Sequence, residues 1–236
     1  MPGSAASSPW YRTRDNVRVR SRPQLVIFDL DGTLTDSAAG IVSSFRHALA
    51  HVGMPVPDDP DLAGMVVGPP MHLTLGALGL GEKTDAAIAA YRADYTTRGW
   101  VLNEVFDEIP ELLADLRAAR VRLAVATSKA EPTARRILEH FGLDGHFEVI
   151  AGASPDGRRA TKAEVVEHLL SQLDPVPDHV LMVGDRSHDV HGASHHGIDT
   201  VVVEWGYGGA DFDDPAVARP LARVPTVAAL REVLGV

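Results

Sequence analysis

Short apolar runs alternate with stretches of helical periodicity from residue 25 to the C-terminus. The apolar runs have the length of strands and lie at 25–28, 122–126, 147–150, 179–183 and 200–203. The clearest helical stretches lie at 132–141, 162–173 and 226–234. Strands that alternate with helices in this way build a parallel sheet with helices on both faces. The sequence therefore predicts an α/β fold with a doubly wound, Rossmann-like parallel sheet.

The interval 38–105 interrupts this alternation. It shows helical periodicity and no convincing strand. The apolar residues that share one face of its first helix are Ile41, Phe45, Ala48, Leu49 and Val52. We therefore expect a helical domain inserted after the first strand. The predicted organisation is a tail at 1–23, a core domain at 24–37 and 106–236, and the insertion at 38–105.

Composition excludes several classes of protein. The chain has 236 residues, of which 45% are hydrophobic, and it contains no cysteine. There is thus no disulfide framework, no thiolate metal site and no cysteine nucleophile, which excludes the cysteine-dependent phosphatases. The longest apolar runs have only about six residues, far fewer than the roughly 20 that span a bilayer. We expect a protein of the cytoplasm that has no membrane partner.

Charge is unevenly distributed along the chain. Residues 1–23 contain five arginines and one acid, whereas the rest has 17 basic against 31 acidic side chains, a net charge of −14. An acidic body argues against a nucleic-acid partner. The first 23 residues lack the apolar core of a secretory signal. We expect them to be a disordered, arginine-rich tail, with docking of a protein partner as an alternative role.

Polar side chains follow three of the predicted strands. Asp29 and Asp31 come directly after the first strand, and Thr127, Ser128 and Lys129 end the second. Ligands of a doubly wound sheet bind at the carboxyl ends of its strands, where the strand order reverses. We therefore expect these side chains to line one site.

The fourth predicted strand ends in VGDRSHD, which carries Asp185 and Asp189, and Lys162 begins the preceding helix. Each residue alone could be a helix cap or a surface group, but together they form one rim. Several carboxylates at one rim cannot all stay ionised without a cation, because each raises the pKa of the others. An all-oxygen site suits Mg²⁺, and a nearby lysine suits a phosphoryl group. The sequence therefore predicts a magnesium-dependent phosphate site.

Four motifs carry a family resemblance. FDLDGTLTDS at 28–37, VATSK at 125–129, Lys162 and GDRSHD at 184–189 occur in the order and spacing of the four motifs of the haloacid dehalogenase (HAD) superfamily. The insertion resembles the C1 cap of that superfamily. VGPP at 67–70 and WGYG at 205–208 are similar to segments of its phosphoglycolate phosphatase-like and 5′-nucleotidase-like members. The resemblance implies a phosphomonoester hydrolase that acts on a small phosphorylated metabolite.

The resemblance also implies a role for each catalytic residue. Asp29 would attack phosphorus and form an aspartyl-phosphate. Asp31 would protonate the leaving oxygen and then act as base on water. Thr127 and Ser128 would bind phosphoryl oxygens, and Lys162 would bind substrate and neutralise the charge that develops there.

The metal ligands implied by the resemblance are the Asp29 carboxylate, the Asp31 backbone carbonyl and the Asp185 carboxylate. Asp189 would be a further ligand or would support the others. The carboxylates of Asp29, Asp185 and Asp189, a phosphomonoester dianion, Mg²⁺ and Lys162 together leave a net charge of −2. Further cations should therefore reach the site, and the candidates are Lys129, Arg186, Arg46 and Arg92.

A second activity is also implied, because the resemblance extends over the whole core to HAD-fold proteins described as protein tyrosine kinases. An aspartyl-phosphate could be discharged to an acceptor other than water, so a phosphotransferase acting on tyrosine is an alternative. Residues 76–84, GALGLGEKT, do not form a phosphate loop, because Glu82 separates Gly81 from Lys83 and no buried strand precedes the segment. A non-catalytic regulator is the second alternative.

Histidines cluster after the fourth motif. His188, His191 and His195 would share one face of a helix, and His196 adjoins them. A transition-metal site would use such a face. We expect an exposed helix face instead, because no carboxylate beyond the motif pair supports a metal.

Overall fold

The computed structural model describes residues 10–13, 16–19, 22–58, 62–154, 156–214 and 217–236, with the backbone alone at 10–13 and 16–19. The strands are β1 (Trp10–Thr13), β2 (Asn16–Val19), β3 (Leu25–Phe28), β4 (Thr35–Asp36), β5 (Glu104–Val105), β6 (Arg122–Ala130), β7 (Val149–Ala153), β8 (Val180–Gly184), β9 (Asp199–Val203) and β10 (Ala222–Val224). The helices are α1 (Ala38–His51), α2 (Leu62–Val66), α3 (Met71–Ala77), α4 (Thr84–Thr97), α5 (Ile109–Ala118), α6 (Glu131–His140), α7 (Lys162–Ser171), α8 (Ser187–Ser194) and α9 (Val227–Leu234).

Six strands form one parallel sheet in the order β10-β9-β8-β3-β6-β7. The chain runs from β3 outward through β6 to β7, and then returns to β8 on the other side of β3. The strand order therefore reverses between β3 and β8, which is where a doubly wound sheet binds its ligands. The predicted fold class is confirmed. Strand β10 was not predicted, because its three residues are too few to show a periodic pattern.

Helices cover both faces of the sheet because the central strands are apolar on both sides. In β3, Leu25 and Ile27 pack with apolar residues of α7 and α8, whereas Val26 and Phe28 pack with those of α5, α6 and α9. All four side chains are fully buried. A strand buried on both faces reads as an unbroken apolar run, which is how LVIF stands in the sequence.

A helical insertion follows β3. Helices α1 to α4 lie between β4 and β5, and those two short strands pair antiparallel through Thr35 with Val105 and Asp36 with Glu104. The two strands form a short ribbon. The chain enters the insertion through β4 and leaves it through β5. The expectation of no strand within 38–105 is therefore wrong for Glu104–Val105, because two residues are too short to alternate. The domain boundaries stay a prediction.

The structure describes part of the predicted tail, whose disorder stays a prediction. Trp10–Thr13 pairs antiparallel with Asn16–Val19, and these segments are rich in the strand-forming residue types Trp, Tyr, Thr and Val. Residues 1–9, 14–15 and 20–21 lie outside the described residues. The side chain of Arg22 donates hydrogen bonds to the carbonyl oxygen of Gly235 at 2.7 and 3.0 Å. This contact joins a residue of the predicted tail to the residue that follows α9. None of the helices described here is both long and apolar enough to cross a bilayer.

Candidate active site

The predicted site residues meet where the strand order reverses. Asp29 directly follows β3 and Asp185 directly follows β8, and the Asp29 amide donates a hydrogen bond to the Val183 carbonyl at 2.9 Å. Thr127 lies in the neighbouring strand β6, while Lys162 is the first residue of α7. Asp29, Thr127, Lys162 and Asp185 are all buried. The structure therefore brings the four sequence motifs to one edge of the sheet.

The ammonium group of Lys162 lies between two aspartates. Its Nζ atom lies 2.8 Å from Oδ1 of Asp29 and 2.7 Å from Oδ1 of Asp189, and it donates a hydrogen bond to the Ala126 carbonyl at 3.0 Å. Burial alone would lower the pKa of Lys162, but the charges of Asp189 and Asp29 outweigh burial and raise it. The lysine is therefore held as a buried cation against Asp29.

One carboxylate oxygen of Asp189 contacts Lys162, and the other accepts a hydrogen bond from the backbone. Its Oδ2 atom accepts a hydrogen bond from the Arg186 amide at 3.0 Å, and its side chain is fully buried. Burial would raise the pKa of Asp189, but the adjacent Lys162 ammonium outweighs burial and lowers it. Since both oxygens are engaged, Asp189 fits a role in positioning Lys162 better than a role as a direct metal ligand.

The environment of Asp29 and Asp185 at the rim disfavours their negative charge. Burial raises the pKa of Asp29 to about 7, Lys162 offsets part of this effect, and Asp189 adds to it. Burial also raises the pKa of Asp185 well above its usual range, and the charges of Asp189 and Asp29 add to it. Carboxyl groups that resist ionisation side by side are the environment that a bound cation relieves.

The segment WGYG positions Asp185. The Tyr207 amide donates a hydrogen bond to Asp185 Oδ2 at 2.7 Å, while Asp185 Oδ1 is buried and has no hydrogen-bond partner in the described chain. A Cβ atom on Gly206 would lie 2.3 Å from Asp185 Oδ2, so only glycine allows this approach. The Tyr207 hydroxyl donates to Asp36 and accepts from the amides of Ser37 and Ala38, at the start of α1. This contact gives WGYG a structural role that its sequence did not predict.

Asp31 and the end of β6 line a cavity between the sheet and the helical insertion. Its volume is about 370 Å³. Residues of the sheet edge that line it are Asp29, Asp31, Thr127, Ser128 and Lys129, and those of the insertion include Ile41, Val66, Met71, Tyr91, Arg92 and Tyr95. VGPP contributes Gly68, Pro69 and Pro70. The sheet edge thus contributes carboxylates to the cavity lining, and the insertion contributes mostly apolar and aromatic side chains.

Two of the four candidate cations line the cavity, and the other two do not. Lys129 lies in the site, with Nζ 3.2 Å from Asp31 Oδ2, and Arg92 lines the cavity. Arg186 is engaged elsewhere, because it pairs with Asp211 at 3.1 Å and donates to the Gly64 carbonyl at 2.9 Å. Arg46 is exposed and does not line this cavity.

A family model described as haloacid dehalogenase-like hydrolase matches residues 26–203. The chain belongs to the haloacid dehalogenase-like hydrolase family. The resemblance drawn from the four motifs is therefore confirmed. The match covers the insertion and the sheet from Val26 in β3 through β9, and so includes Asp29, Asp31, Thr127, Lys162, Asp185 and Asp189, whereas Gly206 and Tyr207 follow it.

Relatives of this haloacid dehalogenase-like hydrolase carry two kinds of name. It is 67% identical over 214 residues to tyrosine-protein kinase PtkA of Mycobacterium tuberculosis. The alignment covers 91% of this chain and 73% of that relative. It is 41% identical to a 5′-nucleotidase of Pseudomonas aeruginosa, over 89% of this chain and 94% of the relative. The crystal structure of a predicted phosphatase from Clostridium acetobutylicum aligns with a TM-score of 0.83 and 34% identity, over 92% of this chain and all of that one.

The histidines of this haloacid dehalogenase-like hydrolase do not share one exposed face. Helix α8 ends at Ser194, before His195, and His188 is only partly exposed and lies 3.9 Å from Asp189. Burial lowers the pKa of His188 to about 4, so its ring is neutral. Potential ligand atoms of Asp29, His188 and Asp189 lie within 4.8 Å of one another. The Lys162 ammonium contacts both aspartates of this group, so a second cation there would be repelled.

Sequence reasoning missed two tyrosines of the site. Tyr95 of α4 contacts Lys129, and Tyr207 holds Asp185. No pattern in the sequence could have paired Tyr95 with a residue 34 positions away on another element. For Tyr207, the two flanking glycines were a usable signal, because they mark a close backbone approach.

Proposed function

We propose that this protein is a metal-dependent phosphomonoester hydrolase that acts on a small phosphate ester through an aspartyl-phosphate. The observation that carries the proposal is the buried carboxyl of Asp29, which lines the cavity and is paired with Lys162. A carboxylate with a fixed cation beside it suits attack on phosphorus, because the cation stabilises the charge on the transferred group.

The donor set fits a hard divalent cation. Asp185 Oδ1 is buried and lacks a hydrogen-bond partner within the described residues, and such an orphaned oxygen suits an all-oxygen metal site. Asp29, the Asp31 backbone carbonyl and Asp185 would hold Mg²⁺, with Asp189 as support through Lys162. When bound, Mg²⁺ would offset the charge of the carboxylates and of the phosphate dianion.

The chain's own residues would then divide the chemistry. Asp29 attacks phosphorus while the bond from phosphorus to the ester oxygen breaks, and Asp31 gives its proton to that oxygen. Asp31 next takes a proton from water, which attacks the aspartyl-phosphate and regenerates Asp29 with release of phosphate. Thr127 and Ser128 line the cavity near Asp29 and would bind phosphoryl oxygens, and Lys162 would stabilise their charge.

The cavity supports a small substrate. Its volume of about 370 Å³ lies at the lower end of the range for small-molecule sites, and the insertion covers it. Phosphoglycolate-like esters, sugar phosphates and nucleotides are therefore the classes to screen. The relative named 5′-nucleotidase supports the last of these.

The alternative is phosphoryl transfer to protein tyrosine. The relative named tyrosine-protein kinase, at 67% identity, favours it. In this reaction Asp29 would take a phosphoryl group from a nucleoside triphosphate, and a phenol oxygen would replace water as the acceptor. A regulator without catalysis is the second alternative, and it predicts no turnover at all.

The test is a hydrolysis screen over these ester classes and phosphotyrosine, run beside an ATP-to-tyrosine transfer assay. We expect hydrolysis that requires Mg²⁺ and disappears in Asp29→Asn, with kcat/KM at least about tenfold higher for a small ester than for phosphotyrosine peptides. Chelator-resistant hydrolysis would contradict the metal assignment. Tyrosine labelling that exceeds hydrolysis and needs Asp29 would replace the hydrolase with the phosphotransferase.

A further inference from the structure

Among the described residues, three lysine or arginine side chains line the cavity. Lys129 lies with Nζ 3.2 Å from Asp31 Oδ2, and Arg159 lies with Nη2 2.9 Å from Glu131 Oε2. Arg92 differs from both, because no ion pair or side-chain hydrogen bond joins it to another described residue. The charge of Arg92 is therefore the one that the lining leaves for a ligand.

Arg92 belongs to the wall that the insertion contributes. Helix α4 lines the cavity with Tyr91, Arg92, Tyr95 and Thr96, whose spacing places them on one face of the helix. The Tyr95 hydroxyl accepts a hydrogen bond from Lys129 of the sheet edge at 2.8 Å. Since Arg92 precedes Tyr95 by three positions, the two side chains are neighbours on the helix surface. Arg92 therefore lies on the part of the insertion that covers the sheet edge.

The leaving group of a bound ester would point toward this wall. In phosphoryl transfer the attacking and leaving oxygens lie roughly in line, on opposite sides of phosphorus. Asp29, the proposed nucleophile, directly follows β3 at the sheet edge. A leaving group on the far side of phosphorus therefore enters the part of the cavity that the insertion lines. Arg92 would meet the leaving group, whereas Lys162 lies beside Asp29 and would meet the phosphoryl group.

The chemistry of this wall suits one anionic group on an apolar spacer. Besides Arg92, the insertion contributes apolar and aromatic side chains to the lining, which include Ile41, Val66, Met71, Tyr91 and Tyr95. The acidic side chains of the described lining, Asp29 and Asp31, both belong to the sheet edge. A guanidinium binds a carboxylate through two parallel hydrogen bonds, and the two single charges match. A second phosphate dianion would carry one charge more than Arg92 supplies.

We propose that Arg92 determines specificity by binding a carboxylate on the leaving group of the substrate. The substrate is then a phosphate ester of a small hydroxy acid whose hydroxyl and carboxylate are separated by an apolar spacer. The inference rests on the proposed hydrolase function and adds the substrate class to it. Arg92 takes no part in bond making or breaking, because it binds the half of the substrate that leaves.

The test compares esters that differ mainly in this charge. The acids are meta- and para-carboxyphenyl phosphate, and each is paired with the carbamoylphenyl phosphate in which a neutral amide of similar shape replaces the carboxylate. The benzene ring is the apolar spacer, and the two ring positions direct the charge differently from phosphorus. The quantity measured is the ratio of kcat/KM for the acid to that for its amide. Comparing this ratio between protein variants cancels the difference in intrinsic reactivity between the esters.

We expect wild-type protein to prefer the acid at one ring position or both by about tenfold, since a hydrogen-bonded charge pair contributes a factor of this order. Arg92→Met should lower the ratio about tenfold and leave kcat/KM for the amides within about twofold of the wild-type value. Arg92→Lys should give an intermediate ratio, because it keeps the charge but loses the paired donors of the guanidinium.

The matched control is Arg46→Met. Arg46 is another exposed arginine of the insertion, on α1, and it does not line the cavity. The control removes one positive charge from the insertion, as Arg92→Met does, but it should keep the wild-type ratio. Arg92 is exposed as well, so we expect all variants to fold, and thermal unfolding checks this.

A wild-type ratio near one at both ring positions would overturn this inference while leaving the hydrolase in place. So would a ratio that Arg92→Met leaves unchanged, or one that Arg46→Met lowers equally. Equal losses on acid and amide in Arg92→Met would also overturn it, because Arg92 would then act on the phosphoryl group.

Hydrolysis of 4-nitrophenyl phosphate separates the two levels of the proposal. A wild-type protein that hydrolyses this ester but none of the four test esters would overturn the assignment of Arg92 alone. A wild-type protein that hydrolyses none of these esters would overturn the proposed function and the inference with it.

Discussion

Asp189 Oδ1 lies 2.7 Å from Lys162 Nζ, and both side chains are buried. Removal of one partner from a buried ion pair leaves the other charge uncompensated. We expect Asp189→Asn to lower the free energy of unfolding by about 3 kcal/mol. It should also reduce kcat, because Lys162 would no longer be held against Asp29. Urea unfolding and steady-state kinetics measure the two effects.

The matched control is Asp156→Asn, since Asp156 pairs with Arg158 at 3.3 Å on the exposed surface. Exposed pairs contribute at most about 1 kcal/mol, so this variant should unfold nearly as the wild type does. Similar small losses in both variants would mean that the Asp189–Lys162 pair does not hold the site together.

Gly206 tests how Asp185 is positioned. A Cβ atom at this position would lie 2.3 Å from Asp185 Oδ2, whereas one on Gly209 would meet nothing within 4 Å. We expect Gly206→Ala to raise the Mg²⁺ concentration for half-maximal hydrolysis by about tenfold or more, since groups that orient metal ligands have effects of this size. Gly209→Ala should titrate as the wild type does. An unchanged Mg²⁺ dependence in Gly206→Ala would remove Asp185 from the proposed metal site.

The raised pKa of Asp29 predicts a pH-dependent stability in the absence of divalent cations. Between its usual value of about 3.9 and the folded value of about 7, the folded protein holds a proton that the unfolded chain has released. The Asp29 contribution therefore falls as pH rises through this window and is constant above it. We expect Asp29→Asn to be more stable than wild type above about pH 7, by on the order of 4 kcal/mol.

Urea unfolding of both proteins at about pH 5 and about pH 8 in a chelator measures this difference. The advantage of the variant should shrink toward the lower pH, because Asp29 is then neutral in the wild type as well. Added Mg²⁺ should stabilise only the wild type appreciably. A variant less stable than wild type at both pH values would show that Asp29 is ionised without a metal.

Arg22 tests the predicted boundary of the core domain at residue 24. Its guanidinium donates two hydrogen bonds to the Gly235 carbonyl, at the end of α9. We expect Arg22→Ala to lower the free energy of unfolding by about 1 kcal/mol and to leave hydrolysis unchanged. Arg158→Ala, which removes only an exposed pair, should cost less than about 0.5 kcal/mol. Equal stability of the two variants would support the predicted boundary at residue 24.

The sheet and the motif residues were predictable because their signals are local. An apolar run such as LVIF that ends in aspartates marks both a buried strand and the site at its carboxyl end. The contact between Tyr95 and Lys129 was not predictable, because it depends on how the insertion is oriented by the ribbon of β4 and β5. Those strands have two residues each, and their pairing arises from tertiary structure rather than from periodicity.

Lys162 and Arg186 show the same difference between what a local sequence signal predicts and what the fold decides. Lys162 was predicted from its place before the fourth strand, but its position between Asp29 and Asp189 depends on three elements meeting. Arg186 was an equal candidate for the site in the sequence, since it adjoins Asp185. The fold directs it to Asp211 and to the Gly64 carbonyl, which no local pattern could reveal.

The central claim is that Asp29 carries the phosphoryl group during turnover, and trapping that group tests it most directly. Wild-type protein is mixed with Mg²⁺ and the ester that it hydrolyses best, quenched in acid over a time course, and analysed by mass spectrometry of its peptides. We predict one phosphoryl group on the peptide that contains Asp29, released by hydroxylamine as expected of an acyl phosphate and missing from Asp29→Asn. Continued turnover with no phosphoryl group on Asp29, or with the group on another residue, would contradict the account.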